Sequence, residues 1–193
     1  MVGHRNPRHQ QEVVQWAQEL MRRENFYVLD TETTGVGKGD EIVQMGIVDK
    51  HGNTIMNQLV KPTVSIPDGA SNVHGIYDLD VADAPTFKDI YIDVSKMLAG
   101  QVVIAYNMDF DWRMLQQSSA KYRLPDIRTG KRDCAMKQYA KYHGKWNSQR
   151  RSYVWHKLGN AAAQEGIAVE NAHDAVGDVL MTLALIHKMA DSA

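Results

Sequence analysis

The sequence predicts a single α/β domain built on a mixed sheet, and three observations carry that reading. Strand-like apolar runs come first, separated by short turns, and later runs alternate with helical stretches. The 193 residues suit one domain with a sizeable core, and no repeat, low-complexity tract or flexible linker divides them. The composition, 44% apolar and 23% charged, is that of a globular chain rather than a disordered one.

Residues 10–23 place Val13, Val14, Trp16, Ala17, Leu20 and Met21 at helical spacing, which predicts an amphipathic helix ahead of the core. That helix could pack on the core or on a partner protein. FYVLDTE (26–32) reads as a buried strand ending in acids, followed by the glycine-rich loop TTGVGKGD. EIVQMGIVDK and NTIMNQLVKP flank the turn signal HGN and read as a hairpin. A connection containing proline and glycine leads to a helix over 86–98, stopped by Gly100. QVVIAYN is the next strand and residues 110–122 the next helix. Residues 123–156 are less regular. A short helix is predicted over 158–164 and a last amphipathic one over 174–189. This order implies a sheet with antiparallel and parallel parts, in which acids at strand ends are well placed for chemistry. Residues 1–24 read as a helical extension and 25–193 as the domain proper.

Composition also excludes. The lone Cys134 rules out an intramolecular disulfide framework and any zinc cluster of cysteines, and it suits a reducing cytoplasm. No stretch is apolar for long enough to span a bilayer, so no membrane role is expected. MVGHRNPRHQQ lacks the apolar region of a secretory signal. With 22 Lys+Arg against 23 Asp+Glu the formal charge is −1, which argues against a uniformly basic nucleic-acid binder but says nothing about distribution.

Three acidic motifs stand out. In Asp30-Thr31-Glu32 the alternation of a strand puts both carboxylates on one face. Close, partly buried carboxylates repel, and a divalent cation with oxygen preference relieves that repulsion; a solvated strand end is the plainer alternative. In Asn107-Met108-Asp109-Phe110-Asp111, Asp111 opens a helix, where an acid commonly just complements the helix dipole, and Asp109 could cap it. In His173-Asp174-Ala175-Val176-Gly177-Asp178, Asp174 looks like an N-cap. His173 and Asp178 share a face only if His173 lies in the preceding loop and folds back.

The ordered set Asp-x-Glu, Asn-x-x-Phe-Asp and His-x-x-x-x-Asp resembles the DEDDh branch of the DnaQ-like 3′–5′ exonucleases, from about Phe26 to Met189. DTETTG, PDGASNVHGI and IAYNMDFDWRML add to the similarity, although Tyr106 stands where the family usually has histidine. The resemblance implies a ribonuclease H-like fold, a mixed five-stranded sheet flanked by helices, here with the extra N-terminal helix. It implies that Asp30, Glu32, Asp111 and Asp178 bind two Mg²⁺ or Mn²⁺ ions and that His173 is the general base. It further implies that Thr33, Thr34 and Gly35 grip the terminal nucleotide and that His74, Asn107 and Leu115 lie near its pocket. A plain turn, a loop histidine and a core leucine are the competing readings of those positions.

Charge is unevenly spread. Residues 121–157 hold eleven Lys/Arg and only Asp126 and Asp133, a local charge of +9. Tyr122, Tyr139, Tyr142, Trp146, Tyr153 and Trp155 lie among them, a mixture suited to phosphate contact and base stacking on single strands. The resemblance implies metal-dependent hydrolysis from a free 3′ end, mainly of single-stranded DNA, releasing 5′-mononucleotides. A ribonuclease T-like exoribonuclease and a non-catalytic nucleic-acid-binding module are the alternatives. The short stretch after the last helix speaks against a long tether to a polymerase.

Overall fold

Three strands lead, and the chain lays them side by side. In a computed structural model that describes residues 6–168 and 174–192, β1 (Tyr27–Thr33), β2 (Ile42–Asp49) and β3 (Thr54–Leu59) form an antiparallel meander. The β2–β3 turn falls on the expected HGN. There the Asp49 carboxylate accepts the backbone N–H groups of His51 (2.8 Å) and Asn53 (2.9 Å), and Gly52 takes φ 83°. β4 (Val102–Ala105) and β5 (Lys131–Cys134) then join parallel to β1, completing a five-stranded sheet in the order β3-β2-β1-β4-β5. Val103, Ile104 and Ala105 are all wholly buried, so the centre of the sheet is covered on both faces.

Seven helices surround it among the described residues. α1 (Pro7–Met21) begins three residues before the apolar periodicity does. The Asn6 side chain accepts the Arg8 N–H, and Pro7 sits at the first helical position, where its missing N–H costs nothing. Val13, Ala17 and Leu20 of α1 are buried in the main core, so its apolar face is occupied by this chain. α2 (Asp68–His74) lies in what sequence alone left as a connection, because two turns give no full apolar period. α3 (Phe87–Leu98) starts behind a Thr86/Asp89 capping box. α4 (Met108–Lys121) has Asn107 at its N-cap position. Asp109 is thus in the first turn rather than the cap, and it pairs with Lys137 at 2.6 Å.

The irregular stretch 123–156 resolves into β5, α5 (Ala135–His143) and a two-stranded hairpin, β6 (Trp146–Asn147) with β7 (Ser152–Tyr153). β5 reads Lys-Arg-Asp-Cys, a charged edge strand with no apolar alternation to betray it. α6 (Leu158–Gln164) matches expectation, and α7 (Ala175–Ala190) follows Asp174, whose side chain accepts the Gly177 N–H.

One close approach sets where α7 begins. A Cβ at Gly46, in the middle of β2, would lie 2.7 Å from the backbone carbonyl of Ala175. Only glycine lets the first turn of α7 rest on the strand there, directly across from Asp30, the ladder partner of Gly46. Gln44, also on β2, donates to Asp174 Oδ1 (2.9 Å) and accepts the Ala175 N–H (3.3 Å). We expect Gly46→Ala to destabilise the protein by about 2 kcal/mol, a Tm loss of roughly 4–8 °C in thermal unfolding. An unchanged Tm would show that the helix is not seated by this contact.

Candidate active site

The site forms where β1 outruns its neighbour. β1 pairs with β4 only at Tyr27 and Val28, and β4 ends at Ala105 before the chain turns into α4. The later residues of β1 therefore present unpaired backbone groups on that side. Asp111, in the first turn of α4 and 2% exposed, fills the gap: its Oδ1 accepts the Thr31 N–H (3.0 Å) and the Thr31 hydroxyl (2.8 Å).

Asp30 and Glu32 flank Thr31, and α7 supplies Asp178 from one turn past its cap. Asp30, Glu32 and Asp178 each offer a carboxylate oxygen lying within 4.8 Å of the others. The Gly46 and Gln44 contacts are what bring α7 close enough. Sequence reading missed Thr31, Gln44 and Gly46 as positioning residues. A glutamine and a glycine inside an otherwise apolar strand were the available signal.

Withdrawal from water dominates the electrostatics. Burial, and then the charges of Asp111, Glu32, Asp178 and Asp174, push the Asp30 carboxyl well above its usual range. Burial and the charges of Asp178, Asp111 and Asp174 raise Glu32 to about 8. Asp111 is also raised by burial, against the lowering effect of its bonds from Thr31. A cluster of carboxylates that resist ionisation is a hard, oxygen-only donor set. It fits a divalent cation of the Mg²⁺ or Mn²⁺ type, which would restore the ionised form.

The other sequence-selected residues fall into place unevenly. His173 lies outside the described residues. Thr33 and Thr34 are buried and their hydroxyls are committed to the loop: Thr33 donates to the Gly35 carbonyl (2.8 Å), and Thr34 donates to Asp40 (3.1 Å) while accepting from the Glu41 N–H (3.0 Å). A Cβ on Gly35 would meet the Asp40 carboxylate at 2.6 Å, which explains the glycine. These hydroxyls shape the loop rather than stand free for a nucleotide. His74 Nε2 lies 3.2 Å from the Thr33 carbonyl oxygen, and its Nδ1 accepts the Ile76 N–H, so the ring braces the same loop as the Nε2–H tautomer. Asn107 is exposed beside the site, with no side-chain cap bond. Leu115 is wholly buried one turn below Asp111 and has no surface to offer a base. Tyr106 is also buried; its hydroxyl donates to the His156 carbonyl at 2.7 Å.

Part of the charge of the basic segment is met by ion pairs. Lys121 pairs with buried Glu41 (2.6 Å), Lys131 with Asp133 (3.0 Å), Lys137 with Asp109 and Lys141 with Glu12 (2.5 Å). Tyr139 and Tyr142 are core residues, which removes them as stacking platforms. Beside α4 and β5 lies a cleft of 640 Å³ whose lining includes Arg132, with its guanidinium 4.2 Å from the Trp112 ring.

Comparison with known proteins agrees with this geometry. The RNase_T family model, described as an exonuclease, matches residues 27–186. "Uncharacterized exonuclease CP81" of Escherichia phage 186 is 39% identical over 184 residues, covering 92% of this chain and 94% of its own. The DNA polymerase III subunit epsilon of Treponema pallidum is 27% identical, covering 92% of this chain and 81% of its own. Among solved structures, E. coli exonuclease I bound to a dT13 oligonucleotide shares the fold with a TM-score of 0.73 at 17% identity. The match covers 88% of this chain but only 41% of that one. Exonuclease X in complex with 5′ overhanging duplex DNA gives a TM-score of 0.64 at 26% identity, with 86% and 92% covered. The matched span contains β1, α4 and most of α7, the three elements that supply the clustered acids, and the chain belongs to the exonuclease family of DnaQ-like 3′–5′ exonucleases with a ribonuclease H-like fold.

Proposed function

We propose that this exonuclease removes nucleotides from the 3′ end of single-stranded DNA, using two Mg²⁺ or Mn²⁺ ions held by Asp30, Glu32, Asp111 and Asp178. The observation that carries the reading is the meeting of Asp30, Glu32 and Asp178 from β1 and α7, with Asp111 locked beside them by Thr31. Divalent cations bound there would lower the pKa of an attacking water and neutralise charge on the phosphate and the departing 3′-oxygen. The chain's own groups do the rest. Thr31 fixes one oxygen of Asp111, Gln44 fixes Asp174 and with it the start of α7, and His173 takes the proton of the attacking water. Water oxygen bonds to phosphorus, the P–O3′ bond breaks with its electron pair on the 3′-oxygen of the shortened strand, which takes a proton from solvent, and a 5′-mononucleotide leaves. Asn107 and the loop of Thr33, Thr34 and Gly35 border the terminal nucleotide.

DNA is favoured because exonuclease I and exonuclease X are described with DNA bound. RNA is the second reading, favoured by RNA exonuclease 4 of Mycosarcoma maydis, 32% identical over 60% of this chain but only 32% of its own. We take residues 25–193 as the catalytic domain and residues 1–24 as its helical extension. A protein partner meeting α1 would meet its polar face, since the apolar one is buried. No helix among the described residues is long and apolar enough to cross a membrane. The lone buried thiol of Cys134 suits the reducing cytoplasm, where we place the enzyme.

A 5′-labelled single strand with Mg²⁺ should shorten stepwise, stop in EDTA and resist when its 3′ end carries a phosphate. Shortening that continues in EDTA would sink the metal assignment, and faster loss of RNA would move the substrate. Asp178→Asn should lower turnover on the order of a thousandfold while leaving strand binding largely intact. Near-normal turnover in that variant would remove Asp178 from the site.

The acids also make a stability prediction. The folded-state pKa values of Asp30, Glu32 and Asp111 lie above the unfolded ones, so the folded state holds protons the unfolded chain gives up. Stability is then fully present below the ordinary carboxylate range and is lost as pH rises through the Glu32 value of about 8. In EDTA, Tm should fall between about pH 5 and pH 8, and millimolar Mg²⁺ should flatten that slope. Asp178→Asn should raise the metal-free Tm at pH 8. A metal-free Tm that climbs with pH would contradict the repulsion.

A further inference from the structure

No Asp or Glu occurs between Asp133 and Glu165, and the basic residues of that stretch divide into two groups. Lys137 and Lys141 are engaged in ion pairs, with Asp109 in the first turn of α4 and with Glu12 of α1. Lys145, Arg150, Arg151 and Lys157 are all exposed, on or beside the β6–β7 hairpin, and none has an ion-pair partner among the described residues. The hairpin also exposes two of the largest apolar side chains, Trp146 at 46% and Trp155 at 61%.

The hairpin is anchored rather than adrift. Trp146 packs edge-on against Tyr153 at 5.1 Å, and Tyr153 meets His9 of α1 through both a ring contact and a hydrogen bond. Among the described residues Trp155 has no aromatic neighbour, and it borders a groove of 220 Å³ together with Asn147, Arg150 and Tyr153. At the tip, Arg151 takes φ 50°, a left-handed backbone that glycine or asparagine would adopt more cheaply. A charged side chain is kept where the turn itself does not want one. At its root, the hairpin ends in His156, whose carbonyl accepts the Tyr106 hydroxyl. Tyr106 closes the turn out of β4, one residue before Asn107 and the helix that carries Asp111. The arm therefore springs from the same end of the sheet as the acids.

We propose that the β6–β7 hairpin is a strand-gripping arm that holds single-stranded nucleic acid on the 5′ side of the scissile end, with a base stacked on Trp155 and phosphates on Lys145, Arg150, Arg151 and Lys157. Four unpaired cations beside exposed indoles complement a flexible polyanion whose bases are open for stacking. This assignment rests on the exonuclease reading for its direction along the strand, but not for the binding itself.

The test separates the two. A fluorescein-labelled twenty-nucleotide strand is bound to the full chain in EDTA and followed by anisotropy, so that no turnover is needed. Trp155→Ala should weaken binding about tenfold, and Trp155→Phe should recover most of it. The Arg150→Ala/Arg151→Gly variant, whose glycine suits the turn, should flatten the slope of log Kd against log salt by about 1.4. In turnover, the ratio of kcat/KM on the long strand to kcat/KM on the p-nitrophenyl ester of thymidine 5′-monophosphate should fall about tenfold. Unchanged affinity and salt slope would overturn the arm, as would a loss shared equally by both substrates. So would variants that keep strand affinity but lose binding to anionic lipid vesicles. A wild-type protein that binds the strand through the arm yet cleaves nothing would overturn the exonuclease reading alone.

Discussion

The mutual repulsion of four carboxylates, held partly out of water at the mouth of the sheet, is the constraint around which the remaining structure is arranged. Like charges a few ångströms apart in a medium less polarisable than water repel strongly, and a chain left to itself would separate or protonate them. Here separation is blocked, and the raised carboxyls of Asp30, Glu32 and Asp111 show the pull toward protonation that remains. β1 fixes Asp30 and Glu32 through its antiparallel pairing with β2, and Asp111 is tied to the backbone of Thr31. Asp178 is carried in by a helix seated on Gly46. The fold supplies the energy to hold the acids together, and the cation-binding capacity is the return on that strain.

That arrangement explains why the surrounding loop consumes its own polar groups. Between β1 and β2, Thr33 donates to the Gly35 carbonyl and Asp40 accepts from Thr34 and the Gly37 N–H, while His74 of α2 meets the Thr33 carbonyl. A loop closed internally keeps the end of β1 in one place, which matters because two of the acids ride on it. Buried Glu41 has a similar role at the far end of the loop, accepting from Thr63 and from Lys121 of α4. Through that pair the loop and the helix bearing Asp111 are braced against each other. Near-neutral net charge is thus a sum over unlike parts: acids gathered at the site, several lysines spent on bracing, and a few cations left over at the hairpin.

Sequence reading recovered most of the fold because the elements that make the core are those with strong periodicity. β1, β2, β3, β4, α3, α6 and α7 all lie near their expected bounds. It failed where periodicity carries no information. β5 is a charged edge strand, α2 is too short to show a face, and the hairpin strands are two residues each. At the site, the acids were legible from their spacing, whereas Thr31, Gln44 and Gly46 were not, since their work is done across the sheet between residues distant in the chain. Leu115 and Tyr139 looked as available for ligand contact as Trp155 did. Helical phase and tertiary cover, not residue type, decide which side of the surface such residues occupy.

Seen this way, the precision of the site depends on contacts that touch neither a cation nor a nucleotide. The Gln44 amide binds both Asp174 and the Ala175 N–H, and the Asp174 carboxylate in turn holds Gly177, so one strand side chain sets the position of the whole first turn of α7. A shift of that turn by an ångström would move Asp178 relative to Asp30 and Glu32 without altering any acid. α7 runs for sixteen residues with a long buried face, and Gly46 contributes to its stability as well as to its alignment. The long buried face of α7 keeps the helix on the protein, while a glycine and a glutamine on β2 decide where along the sheet its acid arrives.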